Sequence, residues 1–258
     1  MSAISGFGTV PLEPSALTFA LAGALVAGFT TGFAGFGTGL VASGLWFHAL
    51  PAAIVPLLVA LSSVAAQLVG LATLRNTLAV RRALPMIAGG ILGLPVGILA
   101  LRAASPDVLR LTVGLFLVAY ASLQLSGLSR SSIGNWGGRW ADTAIGAAGG
   151  FLGGFCGLSR PVPIVWLQLR GGPVSDQRSV YQPFNLVILT FASAGMIAVG
   201  GVGREGLYIA ALCLPATLLG AWLGARVYGL VSEAVFKRVV LALLLGSGLI
   251  LVGQAVAR

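Results

Sequence analysis

Residues 150–161 read Gly-Phe-Leu-Gly-Gly-Phe-Cys-Gly-Leu-Ser-Arg-Pro and lie in the middle of an apolar run from 140 to 170. Residues 28–40, Gly-Phe-Thr-Thr-Gly-Phe-Ala-Gly-Phe-Gly-Thr-Gly-Leu, sit the same way within a run from 15 to 48. At 31 and 34 residues, the two runs are long for one bilayer crossing and short for two, because the hydrocarbon core takes ~20 residues of helix. A bilayer offers no water to backbone groups freed from helical bonding, so a helix broken there needs partners in protein or in a wet cavity. A hairpin that enters the membrane, folds at its glycines and returns to the same side fits both lengths.

The rest of the chain divides into six segments of single-crossing length: 51–74, 83–101, 107–128, 179–201, 206–229 and 234–256. Polar or Pro/Gly breaks separate them, such as Ser105-Pro106-Asp107 and Gly203-Arg204-Glu205. Composition agrees. Of 258 residues, 57% are hydrophobic and 8% charged, against ~25% charged in an average soluble domain, and the mean hydropathy is +1.01. This excludes a soluble globule and a disordered chain. The net charge of +9 does not indicate nucleic-acid binding, because the basic residues lie scattered between apolar blocks rather than on one face. Cys156 and Cys213 lack metal-ligand spacing and His48 is the single histidine, so no metal or cofactor is expected. Met1 to Pro14 carries no basic residue and does not read as a cleavable signal peptide.

The halves are copies. A shift of 122 places Gly28, Gly32, Gly35 and Pro51 on Gly150, Gly154, Gly157 and Pro173. A shift of 127 places Leu92, Gly93, Gly97 and Arg110 on Leu219, Gly220, Gly224 and Lys237. The expected organisation is a first repeat, 1–128, a linker, 129–139, and a second repeat, 140–258. Each repeat is a glycine-broken re-entrant hairpin (15–48 and 140–170) plus three transmembrane helices. With the long runs as full crossings, basic loop residues split seven against seven. With hairpins they split ten (Arg75, Arg81, Arg82, Arg130, Arg139, Arg170, Arg178, Arg226, Lys237, Arg238) against four (Arg102, Arg110, Arg204, Arg258). The bias of Lys and Arg toward the cytoplasm favours the second arrangement. The expectation is therefore an all-α polytopic membrane protein with two inverted repeats and both termini outside the cytoplasm.

Duplicated transporters place their sites at such breaks, where helix N-termini turn N–H groups and the positive dipole end toward an anion. The Gly32–Gly39 and Gly150–Gly157 clusters read as ligand-facing backbone, whereas Gly93/Gly97 and Gly220/Gly224 read as helix-packing glycines. Arg160 follows the second break, where a charge is costly and functional by default, and its planar fork suits oxyanions. Its counterpart in the first repeat is Thr38. Arg178, Tyr181, Gln182 and Asn185 recur at helical spacing as one polar stripe, and Ser62, Ser63 and Gln67 read as interhelical hydrogen-bonding residues. The expected substrate-binding set is Arg160 for charge; Thr38, Ser159, Gln182 and Asn185 for hydrogen bonds; Tyr181 beside them; and backbone at Gly35, Gly37 and Gly157. No carboxylate sits mid-span, so a proton-relay signature is missing, and no phosphate-binding loop for ATP is present. Gly157-Leu158-Ser159-Arg160 loosely matches an intramembrane serine-protease motif, but Arg160 stands where such a motif has glycine, and His48 lies in the other half.

The two glycine motifs, 28–40 and 150–161, resemble the paired signatures of the sulfite exporter TauE/SafE family, and the duplicated layout agrees over nearly the whole chain. The resemblance implies a permease of the bacterial inner membrane for sulfite, sulfonates, thiosulfate-like compounds or other small organic anions. Export is the expected direction, with ion-coupled uptake, a channel or metal permease and an intramembrane hydrolase as alternatives. The expected partners are a small anionic substrate and the lipid bilayer, with a homodimer admissible and nucleic acid excluded.

Overall fold

The computed structural model describes every residue except 1–13, 36, 74–77, 128–132, 135, 201–202, 228–231 and 257–258. Both termini, residues 129–132 and 135 of the expected linker 129–139, and Arg75, Arg130 and Arg258 of the basic count therefore lie outside the described residues. Among those described there are ten helices and no strand: α1 (Pro14–Ala34), α2 (Thr38–Ala49), α3 (Val55–Thr73), α4 (Val80–Ala103), α5 (Pro106–Ser126), α6 (Gly138–Cys156), α7 (Pro161–Arg170), α8 (Val174–Ala198), α9 (Arg204–Val227) and α10 (Glu233–Val256).

Each of the six single-crossing segments is one helix, and each long run is two. The breaks fall where glycine takes a left-handed backbone, at Gly35 (φ 75°), Gly37 (φ 107°) and Gly157 (φ 76°). An L side chain rarely tolerates that region. Gly157 closes α6 as a left-handed C-terminal end: its N–H donates to the Gly153 carbonyl, and the next N–H, of Leu158, donates back to the Leu152 carbonyl. Pro161 then opens α7, where a missing N–H costs nothing.

Both broken segments fold back on themselves. Trp166 Nε1 donates to Asp142 Oδ1 at 2.8 Å although the residues are 24 apart in sequence; a straight helix would hold them ~36 Å apart. Trp46 Nε1 likewise reaches the Ala20 carbonyl at 3.1 Å. The arms are unequal, 21 and 12 residues in the first run and 19 and 10 in the second. The reason is that the positive-φ glycine, not the midpoint of the apolar run, sets the fold. Among the described residues, six helices are long and apolar enough to span a membrane: α1, α4, α5, α8, α9 and α10; α3, expected as a single crossing, counts there only as a shorter apolar helix, Val55–Val69, and α1, expected as a hairpin arm, has full spanning length.

Pairing between the halves is reciprocal: α1 packs on α9, and α4 on α6. Both pairs run parallel, as the seams show. Gly89, Gly93 and Gly97 face the carbonyls of Thr143, Ala147 and Phe151 in order, and Gly28 and Gly32 face Thr217 and Ala221. A Cβ at Gly32 would lie 1.9 Å from the Ala221 oxygen and one at Gly150 would lie 2.0 Å from the Gly90 oxygen. This corrects one expectation. Gly32, Gly150 and Gly154 belong with Gly93, Gly97, Gly220 and Gly224 as packing glycines, because their spacing puts them on the face where two backbones touch. Only the positive-φ members of the motifs form the breaks. By contrast, α5 and α10 pack antiparallel: Gly114 meets Gly248 and Val252, while Gln124, one end of α5, meets Lys237, the opposite end of α10.

Outward faces carry large apolar side chains, among them Phe19, Leu92, Leu99 and Leu243. That surface needs lipid rather than water to cover it. The centre instead buries polar groups, including Thr31, Thr38, Ser63, Gln67, Ser159, Arg160 and Asn185.

Candidate functional site

The two breaks meet through Arg160. This residue is 9% exposed and immediately precedes Pro161. Its Nη1 donates to the Gly35 carbonyl at 3.3 Å, across from the second half to the first. Its Nη2 donates to Gln67 Oε1 on α3. The same Gln67 oxygen accepts from Asn185 Nδ2 at 2.5 Å, and Asn185 Oδ1 accepts from Ser159 Oγ at 2.6 Å. Gln67 completes its amide by donating from Nε2 to the Gln182 carbonyl at 2.5 Å. One continuous network thus ties α1, α3, α7 and α8 at the point where both long segments break.

A second arginine serves the same end. Arg178 Nη2 donates to the Ala34 carbonyl at 2.9 Å, so two guanidinium groups cap the C-terminal end of α1, whose last carbonyls lose their helical partners at the break. Capping does not exhaust them. The Nε atoms of Arg160 and Arg178 are buried without a partner. Among the described residues the ion pairs are Arg110–Asp107 and Arg170–Asp142, and neither Arg160 nor Arg178 has a carboxylate within bridging distance. A buried guanidinium lacking a counter-charge is expensive.

Two cavities adjoin the network. The inner one holds about 20 Å³ and is lined by Gly37, Thr38, Ser63, Ser159, Arg160 and Asn185, among others; that is room for one water. The outer one is a vestibule of about 700 Å³, lined by Gln168, Arg178, Tyr181, Lys237 and Arg238, among others. Tyr120 and Ile164 line both and form the partition. Gln124 donates to the Tyr120 hydroxyl at 3.5 Å and to Gln168 Oε1 at 2.8 Å, and Lys237 donates to Gln124 Oε1 at 3.2 Å. Three basic side chains, Arg178, Lys237 and Arg238, thus line the larger cavity, and Arg160 lines the smaller one behind Tyr120 and Ile164.

The family model described as sulfite exporter TauE/SafE matches residues 20–251. The chain belongs to that family. No curated protein and no solved structure matches it. This TauE/SafE chain is a multi-pass membrane protein of a transporter family, and its six long apolar helices fit that function.

Of the residues singled out in the TauE/SafE sequence, Arg160, Ser159 and Asn185 share the network, with Gly35 accepting from Arg160. Gly37 and Thr38 line the inner cavity, and Gly157 lines it from the other break. The Thr38 N–H donates to Thr31 Oγ1 at 2.9 Å and the two hydroxyls are bonded to each other, so Thr38 is held by its own half. Tyr181 lies in the vestibule wall with its ring centroid 5.7 Å from Arg160 Cζ, a cation–π distance. Gln182 lines neither cavity. It gives its backbone carbonyl to Gln67, while its own Oε1 is buried without a partner. The sequence reading underrated Gln67, the acceptor shared by Arg160 and Asn185. Arg178 stands in the polar stripe read from the sequence but outside the expected binding set, and Tyr120 is in neither. An amide in the middle of an apolar span was the available signal for Gln67; Tyr120 carried none.

Proposed function

We propose that the protein exports small sulfur-containing or organic anions, such as sulfite, sulfonates or thiosulfate-like compounds, from the cytoplasm of a bacterium across its inner membrane. The observation that carries this reading is the buried Arg160 guanidinium, uncompensated by any carboxylate, at the junction of both breaks and behind the basic vestibule. The anion enters the vestibule past Lys237 and Arg238, reaches Arg178 and Tyr181, and exchanges into the Arg160–Ser159–Asn185 site when Tyr120 and Ile164 move apart.

The chain is read as two inverted repeats, 1–128 and 140–258, each with a re-entrant hairpin. Equivalent helices of inverted repeats run in opposite directions, and the antiparallel packing of α5 on α10 supports this. Five helices per half, an odd number, reverse the direction of the second copy. Arg178, Lys237 and Arg238 all belong to the basic side of the chain. The cytoplasmic bias of such residues places the vestibule inside and both termini outside. An inside-negative potential then drives an anion outward by ~2.3 kcal/mol per charge per 100 mV, so no coupling ion is required.

The test is flux and binding of sulfite and a small sulfonate in proteoliposomes with Arg160→Ala and Arg160→Lys. Loss of one charge-assisted hydrogen bond, ~1.5–3 kcal/mol, weakens binding about 10- to 150-fold in the alanine variant. Lysine keeps the charge without the fork and gives an intermediate loss. Unchanged flux and binding in Arg160→Ala overturns the site. A reporter fused at residue 258 and found in the cytoplasm overturns the orientation.

A further inference from the structure

A second basic cleft adjoins the vestibule, sharing Gly171, Gly172 and Gln177 in its wall but none of its basic residues. It holds about 550 Å³ between the starts of α4 and α6 and the end of α7, and its charged lining is Arg81, Arg82, Arg139, Arg170, Asp142 and Asp176. Four arginines face two aspartates. Asp142 is already committed: its Oδ2 accepts from Arg170 Nη1 at 3.1 Å, and Arg170 Nη2 donates to the Gly138 carbonyl at 2.8 Å. Arg170 thereby pins the turn that presents Arg139, and its own Nε is left buried without a partner. The positive surplus falls on Arg81, Arg82 and Arg139, all exposed.

These three arginines are in the wrong place for helix stability. They occupy the first turns of α4 and α6, and neither helix has an acidic residue in its first turn. The two helices run parallel, so both positive dipole ends point the same way and add to the arginine charge instead of opposing it. An anion seated among them relieves both repulsions. The fold itself does not demand the arginines. At the internal offsets, the positions equivalent to Arg139, Arg81, Arg82 and Arg170 are Leu17, Tyr208, Ile209 and His48, around the corresponding α1–α9 pair. Orientation in the membrane calls for basic residues on this side, but not for their convergence on one cleft from three helices.

Depth identifies the anion. Trp136 and Trp140 flank Arg139 and are 69% and 87% exposed. Indole rings so bare sit well at the level of lipid headgroups, where one end is apolar and the other wet. We propose that the Arg81–Arg82–Arg139 cleft binds the phosphodiester headgroup of an anionic phospholipid from the cytoplasmic leaflet, holding the α4–α6 seam at its open end. Basic pockets between transmembrane helices take such headgroups, each arginine contributing about fivefold in affinity.

The experiment measures thermal unfolding and lipid retention by native mass spectrometry on the purified full chain. The probes are phosphatidylglycerol, phosphatidylcholine and inorganic phosphate; the proteins are wild type, the triple variant Arg81→Gln/Arg82→Gln/Arg139→Gln, and Arg226→Gln as a charge control elsewhere. Phosphatidylglycerol is expected to raise the unfolding temperature and stay bound where phosphatidylcholine does not. The triple variant loses that preference by 10-fold or more, and Arg226→Gln keeps it. Three results overturn the proposal: equal effects of the two lipids on wild type, a preference retained in the triple variant, or stabilisation by inorganic phosphate equal to that by phosphatidylglycerol. The last assigns the cleft to a free anion. Arg160 variants leave the lipid preference unchanged, so this test is separate from that of the transport site.

Discussion

Replacing Gly150 by alanine tests the seam that places the second break. A Cβ at Gly150 falls 2.0 Å from the Gly90 oxygen and 2.6 Å from the Gly90 Cα. Real Cβ contacts essentially never come under 3.0 Å, so α4 and α6 must part by about 1 Å. The obstacle is backbone, which cannot rotate away as a side chain does. Separation at one point also lifts Gly89, Gly93 and Gly97 from their carbonyl contacts. Overpacking of this kind costs up to ~3 kcal/mol. Alanine recovers ~1 kcal/mol of the glycine helix penalty, leaving a net loss of about 2 kcal/mol and a fall in Tm of about 4–8 °C. Gly253→Ala is the control, since a Cβ there meets nothing within 4 Å and the propensity gain stands alone. Scanning fluorimetry in detergent compares the two, and sulfite flux reports whether Arg160, ten residues further on, has shifted. A Gly150→Ala protein as stable as Gly253→Ala, with wild-type flux, refutes the close-packed seam.

Two further substitutions probe the polar core. Gln67→Glu puts a carboxylate against Arg160 and supplies the missing counter-charge, at the cost of the Gln67 donor to the Gln182 carbonyl, so sulfite binding to the purified protein falls at least tenfold. Retained anion binding in this variant contradicts an uncompensated Arg160 as the anion site. Asp142→Asn removes the charge that holds Arg170, in a pair whose side chains are 17% and 11% exposed. Breaking a buried pair on one side costs about 3 kcal/mol, visible as a lower Tm together with altered emission from Trp166, which donates to Asp142. A Tm equal to that of wild type shows that the pair does not hold α7 against α6.

The helices themselves were legible because apolar length is a local property. Each predicted single-crossing segment became one helix with ends within about five residues, and Ser105-Pro106-Asp107 marked the start of α5 as a cap, a proline and an acidic first turn. The site was partly legible. Arg160 stood out because a charge inside an apolar run is costly and functional by default, and the Ser159–Asn185 bond joins two of the residues picked for hydrogen bonding. Gln67 did not stand out, because an amide in a membrane helix usually bonds to any neighbouring helix, and only its position opposite Arg160 makes it the shared acceptor.

The sequence by itself determined the membrane, the paired glycine motifs at a fixed offset, the two broken runs and the arginine beside the second break. Those follow from hydropathy, identity at fixed offsets and residue type, none of which needs a neighbour. Tertiary structure alone decided which glycines break and which pack. Gly154 and Gly157 are chemically the same residue three positions apart. Both have a distant carbonyl close to where a Cβ would be, Leu94 at 2.5 Å from Gly154 and Pro56 at 2.7 Å from Gly157, but of the two Gly157 alone turns the chain at positive φ. Those partners come from helices more than fifty residues away in sequence, which residue type cannot reveal.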